Sequence, residues 1–75
     1  MSKIFLSTQA CSELSGLSLE GRLFISKALY QLEKSPEMGL KLWGREDLYL
    51  YQTATESEIV YKPGNGQISV LGIRA

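Results

Sequence analysis

The chain has 75 residues, in which eight Lys plus Arg balance eight Asp plus Glu, with no His and one Cys. A domain this short buries only about 60% of the surface its unfolded chain exposes, so one domain is the ceiling and every apolar face counts. One Cys excludes an intrachain disulfide framework, the lack of His excludes the common zinc sites and any Ser–His or Cys–His pair, and zero net charge argues against strong nonspecific nucleic-acid binding.

Apolar residues make up 44% of the chain and charged residues 21%, a globular rather than a disordered balance. No apolar run approaches the ~20 residues of a membrane span. Met1 to Ser7 holds too short an apolar patch for a secretory signal. A cytoplasmic location is therefore expected, with no membrane contact and no cofactor.

Lys3 to Leu6 reads as a short strand. Ser7 and Thr8 offer a helix N-cap, and Ala10, Leu14 and Leu17 follow as one helical stripe. This helix should end near Ser15-Gly16. Cys11 sits in it with no basic neighbour and reads as a small buried residue. Ser18 is the N-cap of a longer helix that runs to about Lys34, because Pro36 disfavours helical backbone at Ser35. Phe24, Ile25, Ala28, Leu29 and Leu32 form its broad apolar face, with Gly21 allowing close approach. Leu19, Leu23 and Tyr30 fall on nearly the opposite face. Two apolar faces imply cover on both sides, by the first helix as the simpler case or by a partner protein.

Pro36 to Asp47 reads as irregular, with Leu40, Leu42 and Trp43 pinning it to the core edge. Leu48 to Thr53 alternates aliphatic with aromatic residues and reads as a strand covered on both faces. Ala54 to Ser57 should turn the chain into a second strand, Glu58 to Lys62. Pro63-Gly64-Asn65-Gly66 reads as a hairpin turn rather than a phosphate loop, and Gln67 to Arg74 as a third strand. Helices first and a meander second give one α+β domain over residues 1–75: a helical hairpin packed on a small twisted antiparallel sheet, with the first strand at a sheet edge. Tyr49, Tyr51 and Tyr61 read first as cross-strand packing; rings on an open sheet can also stack unpaired bases. Arg74 ends the last strand, and its planar fork suits a phosphate.

The order of elements and several local patterns resemble the RelE/ParE superfamily of bacterial toxins. They are Ala10 with Leu14 in the first helix and Leu32-Glu33-Lys34-Ser35-Pro36 at the end of the second. Next come Gly39-Leu40, Leu48-Tyr49-Leu50-Tyr51, Glu58-Ile59-Val60-Tyr61 and the final Leu71-Gly72-Ile73-Arg74. The resemblance spans nearly the whole chain. It implies an antitoxin partner. It also implies either metal-free cleavage of mRNA on the ribosome, through basic residues on and before the sheet, or a gyrase-directed action. Carried over, Arg74 matches the last-strand arginine, and Tyr61 the strand tyrosine, a structural residue. Glu58 stands where the family has an arginine. The sequence runs one residue past Arg74, so the family's C-terminal catalytic Tyr or His is not expected.

Two readings follow. In the first, the chain is the toxin of a toxin–antitoxin pair and inhibits translation by cleaving mRNA on the ribosome, with Arg74 on the phosphate and Lys41, Arg45, Lys62 and Tyr51 contacting RNA. In the second it is a catalytically inactive module of the same fold that binds a protein, through Leu19, Leu23 and Tyr30 or a sheet edge. A homo-oligomer whose interface completes the core is a third arrangement.

Overall fold

The computed structural model of the chain describes residues 3–42, 48–53 and 57–74. Its elements in order are β1 (Lys3–Leu6), α1 (Thr8–Ser15), α2 (Leu19–Lys34), a 3-10 turn (Pro36–Met38), β2 (Leu40–Lys41), β3 (Tyr49–Gln52), β4 (Glu58–Gly64) and β5 (Gln67–Arg74). Both helix starts follow from serine caps. The Ser7 hydroxyl accepts from the Ala10 N–H at 3.0 Å, and the Ser18 hydroxyl from the Gly21 N–H at 3.1 Å. Each cap satisfies a backbone donor that the first helical turn leaves without a partner.

The five strands form one sheet in the order β1-β5-β4-β3-β2. The expected meander is present, with β3, β4 and β5 antiparallel. The sheet is mixed rather than antiparallel throughout, because β1 takes the edge beside β5 and runs parallel to it. The hairpin between β4 and β5 is tighter than the four-residue turn expected. Only Asn65 (φ 48°) and Gly66 (φ 75°) turn, and both have the positive φ of a two-residue hairpin loop. Pro63 and Gly64 remain in the ladder, opposite Ile68 and Gln67. Pro63 is tolerated there because the β3 ladder stops at Tyr61, two residues short of it.

The helices cover one sheet face. Ile25, Ala28, Leu29 and Leu32 of α2 and Ala10 of α1 are buried against Ile59, Tyr61, Ile68, Val70 and Ile73. Phe24, expected in this core, is exposed at its margin. Cys11 is exposed, not buried, because Ala10 is the residue of that turn that meets the core. The apolar face of Leu19, Leu23 and Tyr30 is not covered by α1, and all three are exposed. The cause is where α1 packs. It lies along β5, where the Ser7 hydroxyl donates to the Leu71 carbonyl at 3.0 Å. The Glu13 carboxylate accepts from the Ile73 N–H at 2.8 Å. Glu13 thus pairs with β5 beyond the point where β1 ends, which a strand would otherwise have to do.

The segment after α2 is more ordered than its sequence suggests. The Tyr61 ring is buried, its hydroxyl donates to the Pro36 carbonyl at 2.6 Å, and it accepts from the Gly39 N–H at 2.9 Å. These bonds hold the turn against the sheet and deliver Leu40 and Lys41 to β3 as an edge strand. Leu40 does not pin the core edge as expected; it is 75% exposed. Trp43, Arg45 and the Ala54–Glu56 part of the expected turn lie outside the described residues.

Candidate functional site

Strand pairing assigns every side chain to a face, because alternation along a strand and direct opposition across it are both fixed. Tyr49 and Tyr51 share the helix-covered face with Ile59 and Tyr61. Tyr49 stacks on Tyr61 with ring centroids 5.5 Å apart, and Tyr51 packs against the buried cluster. The tyrosines therefore do the cross-strand packing that is the plainer expectation for them. Tyr51 is turned away from the open face, where a base would have to stack. Burial raises the Tyr61 phenol above its usual range, an effect the Gly39 N–H partly offsets.

Among the described residues no helix crosses the other face, and α1 reaches it only at the β5 edge. Its middle row crosses four strands: Leu40 opposite Leu50, Leu50 opposite Val60, and Val60 opposite Gly72. One row along, Glu58 stands opposite Arg74. Their side chains form an ion pair at 3.8 Å, with the arginine side chain 80% exposed and the glutamate 33%. This juxtaposition depends on an irregularity that sequence alternation does not reveal. Ile68 and Val70 face the core, so unbroken alternation would send Arg74 to the core face too. The ladder instead pairs Tyr61 with Val70 and Val60 with Gly72, leaving Leu71 as an extra residue. This bulge reverses the alternation, buries Ile73 and turns Arg74 onto the open face. The signal in the sequence is the adjacent apolar pair Val70-Leu71 followed by Gly72, which breaks the strand's two-residue period.

Beside Arg74 lies a pocket of about 220 Å³ lined by Gln9, Glu13, Val60, Leu71, Gly72, Ile73 and Arg74. A Cβ at position 72 would stand 3.6 Å from the Glu13 carboxylate. Arg74 is thus flanked by two carboxylates, Glu58 across the strand and Glu13 across the pocket. Lys62 is on the same face as Arg74 but four residues along β4 from Glu58, about 13 Å away by strand rise. It borders a polar hollow of about 270 Å³ at the hairpin with Asn65, Gln67 and Ser69. Lys41 does not join them. It pairs with Tyr49, which puts it on the helix side of the opposite sheet edge. The open face therefore gathers Arg74, Glu58 and Lys62 of the candidate residues, separates Lys41 from them, and has an aliphatic centre. Among the described residues no cluster of three or more metal-ligating side chains occurs. None of the helices is long and apolar enough to cross a membrane, again among the described residues.

This architecture is that of known toxin structures. A chain of the intact E. coli RelBE toxin–antitoxin complex superposes with a TM-score of 0.87 at 20% identity, covering 99% of this chain and 95% of that one. The chain has the RelE/ParE fold. The isolated E. coli RelE toxin gives 0.85 at 22% identity over 99% of this chain and 83% of that one. A chain of the chromosomal ParDE toxin–antitoxin system of P. aeruginosa gives 0.80 at 11% identity over 99% and 95%. The sequence itself matches no family model and no curated protein sequence. The helical hairpin and meander expected from the resemblance are therefore found, at identities where backbone architecture is alike and side-chain chemistry must be judged position by position.

Proposed function

We propose that this RelE/ParE-fold chain is the toxin-side member of a toxin–antitoxin pair, held by a cognate antitoxin protein in the cytoplasm. We further propose that it acts by binding its target rather than by cutting RNA. The fold supports the first part: complexes described as RelE with RelB and as a ParDE system are built on it. The Arg74–Glu58 pair supports the second. Metal-free cleavage of a phosphodiester by its own 2′-hydroxyl needs a base, an acid and fixed positive charge on the phosphorane. On the open face the charge beside Arg74 is a carboxylate at 3.8 Å, and the middle of the face is aliphatic. Removing one well-placed electrostatic group costs ~10²–10³ in rate, and Glu58 adds repulsion where such a group would stand.

Ribosome-dependent mRNA cleavage is the second reading, favoured by the exposure of Arg74. A solvent-exposed ion pair is worth at most about 1 kcal/mol, so the guanidinium is free to turn from Glu58 to a phosphate, with Lys62 as a further cation. Induced expression in a bacterial culture separates the two. The binding reading expects growth arrest that Arg74→Ala retains, and no new 5′ ends in ribosome-bound mRNA by primer extension. New ends that vanish in Arg74→Ala establish cleavage. A healthy culture making soluble wild-type protein overturns the toxin assignment.

A further inference from the structure

We infer that the outer face of α2 is a docking seam for an amphipathic helix of a partner protein, one with acidic residues opposite Lys27 and Lys34. The inference rests on the reading above only in taking the partner to be a protein, and it names that partner's chemistry.

The face is unusually apolar for a surface: Leu19 is 68% exposed, Leu23 57%, Tyr30 54% and Phe24 42%. Two hollows indent it. One, of about 150 Å³, is bounded by Glu20, Leu23, Phe24 and Lys27. The other, of about 340 Å³, is bounded by Leu23, Ser26, Lys27 and Tyr30, with Gln31 at its rim. Both sets of four have the spacing i, i+3, i+4, i+7. That spacing defines the hole on one helix that receives a single side chain of a facing helix. The two holes share Leu23 and Lys27 and begin three residues apart, the step between neighbouring holes along a coiled-coil seam. Ser26 supplies the depth of the larger hole, because a long side chain there would fill it. The seam so defined alternates apolar Leu23 and Tyr30 with charged Glu20, Lys27 and Lys34.

Charge selects the occupant. Lys27 belongs to both holes, and the Lys34 ammonium lies 4.4 Å from the centre of the Tyr30 ring. A facing helix must therefore meet ammonium groups one heptad, about two turns, apart along the seam, so acidic residues there make it complementary. A second copy of this chain is a poor occupant: a two-fold axis through the shared pair would set Lys27 against its own equivalent.

The test uses the full chain and two synthetic three-heptad helical peptides. Both carry leucine at the knob positions; one has glutamate and the other lysine at the positions facing Lys27 and Lys34. Binding is followed by fluorescence anisotropy and by amide chemical shifts. The glutamate peptide is expected to bind about tenfold or more tightly than the lysine peptide, with shifts centred on Leu23, Ser26 and Tyr30. Ser26→Leu, at an exposed helical position, should fill the hole and weaken binding about thirtyfold with the far-ultraviolet spectrum unchanged. Lys27→Glu should reverse the peptide preference. Failure of both peptides to bind, equal binding of both, shifts on the open sheet face, or a dimer of the chain that Ser26→Leu dissociates would each overturn the inference. Failure here with growth arrest intact leaves the proposed function standing, and the converse result separates them the other way.

Discussion

Glu58→Arg tests the electrostatic argument on which the non-cleaving reading depends. Opposite unit charges about 4 Å apart interact by ~1 kcal/mol in water and ~4 kcal/mol at a typical protein-surface permittivity. The Arg74 side chain is 80% exposed, so the lower figure applies to its 3.8 Å contact with Glu58. A phosphate bound by Arg74 would lie somewhat farther from position 58, at roughly 6 Å, and feel ~0.7 kcal/mol of repulsion from the carboxylate. Arginine turns that repulsion into an attraction of similar size. The total change of ~1.5 kcal/mol is about tenfold in affinity, and Glu58→Gln should give about threefold. The assay is anisotropy of a fluorescein-labelled single-stranded RNA at several salt concentrations. One added phosphate contact should also steepen the dependence of log K on log salt by ~0.7. Equal affinity and equal slope for wild type and Glu58→Arg would refute the idea that Glu58 sets the polarity of this face.

Three further variants concern the scaffold. Tyr61→Phe removes the hydrogen bonds to the Pro36 carbonyl and from the Gly39 N–H, and should cost about 1–2 kcal/mol, read as a fall in thermal midpoint of ~4–8 °C per kcal/mol. The Tyr61 phenol has a raised folded-state pKa, so its stabilisation is complete below about pH 10 and is lost as pH climbs through the folded value. Denaturant midpoints should therefore drop less steeply at alkaline pH in Tyr61→Phe than in wild type. In Gly39→Ala the new Cβ would stand 2.5 Å from the Tyr61 hydroxyl and 2.9 Å from the Leu50 carbonyl oxygen. It should destabilise by about 1–3 kcal/mol and loosen β2, seen as faster amide exchange at Leu42, whose N–H bonds the Leu48 carbonyl. Glu13→Ala leaves the Ile73 N–H without its charged acceptor and should cost about 1.5–3 kcal/mol by chemical denaturation.

The elements with strong local chemistry were legible in the sequence. Ser7 and Ser18 announced the two helices, Pro36 the end of the second, and Asn65-Gly66 the hairpin. What local pattern could not supply was long-range geometry. The parallel placement of β1 depends on residues more than sixty positions away. Burial of Tyr61 depends on a turn that only its own hydroxyl makes regular. The Leu71 bulge decides which face Arg74 occupies, and its trace in the sequence, one broken alternation, resembles ordinary variation in an apolar strand. Glu58 and Arg74 were each singled out in the sequence for separate reasons, and only strand register shows them to be cross-strand neighbours. Register also places Lys41 on the other side of the sheet and Tyr51 on the packed face, which spacing along the chain does not reveal. The second apolar face of α2 was visible from helical spacing. That no described residue covers it was not, since that follows from α1 packing along β5.

The position of β5 between β1 and β4 has a kinetic consequence. β5 contributes Ile68, Val70 and Ile73 to the core, and the Ser7 hydroxyl reaches its Leu71 carbonyl across 64 positions of chain. The core cannot be completed until that strand is available, so before it the helices have only Ile59 and Tyr61 of the buried sheet residues to pack against. Such a topology has a high contact order for its size and should fold slowly compared with a helical domain of equal length. It also delays the open sheet face, because Glu58 precedes its cross-strand neighbour Arg74 by sixteen residues. A partner that recognises this face therefore needs β5 in place, whereas one that recognises the outer face of α2 needs only a helix that the chain completes before β3, β4 and β5.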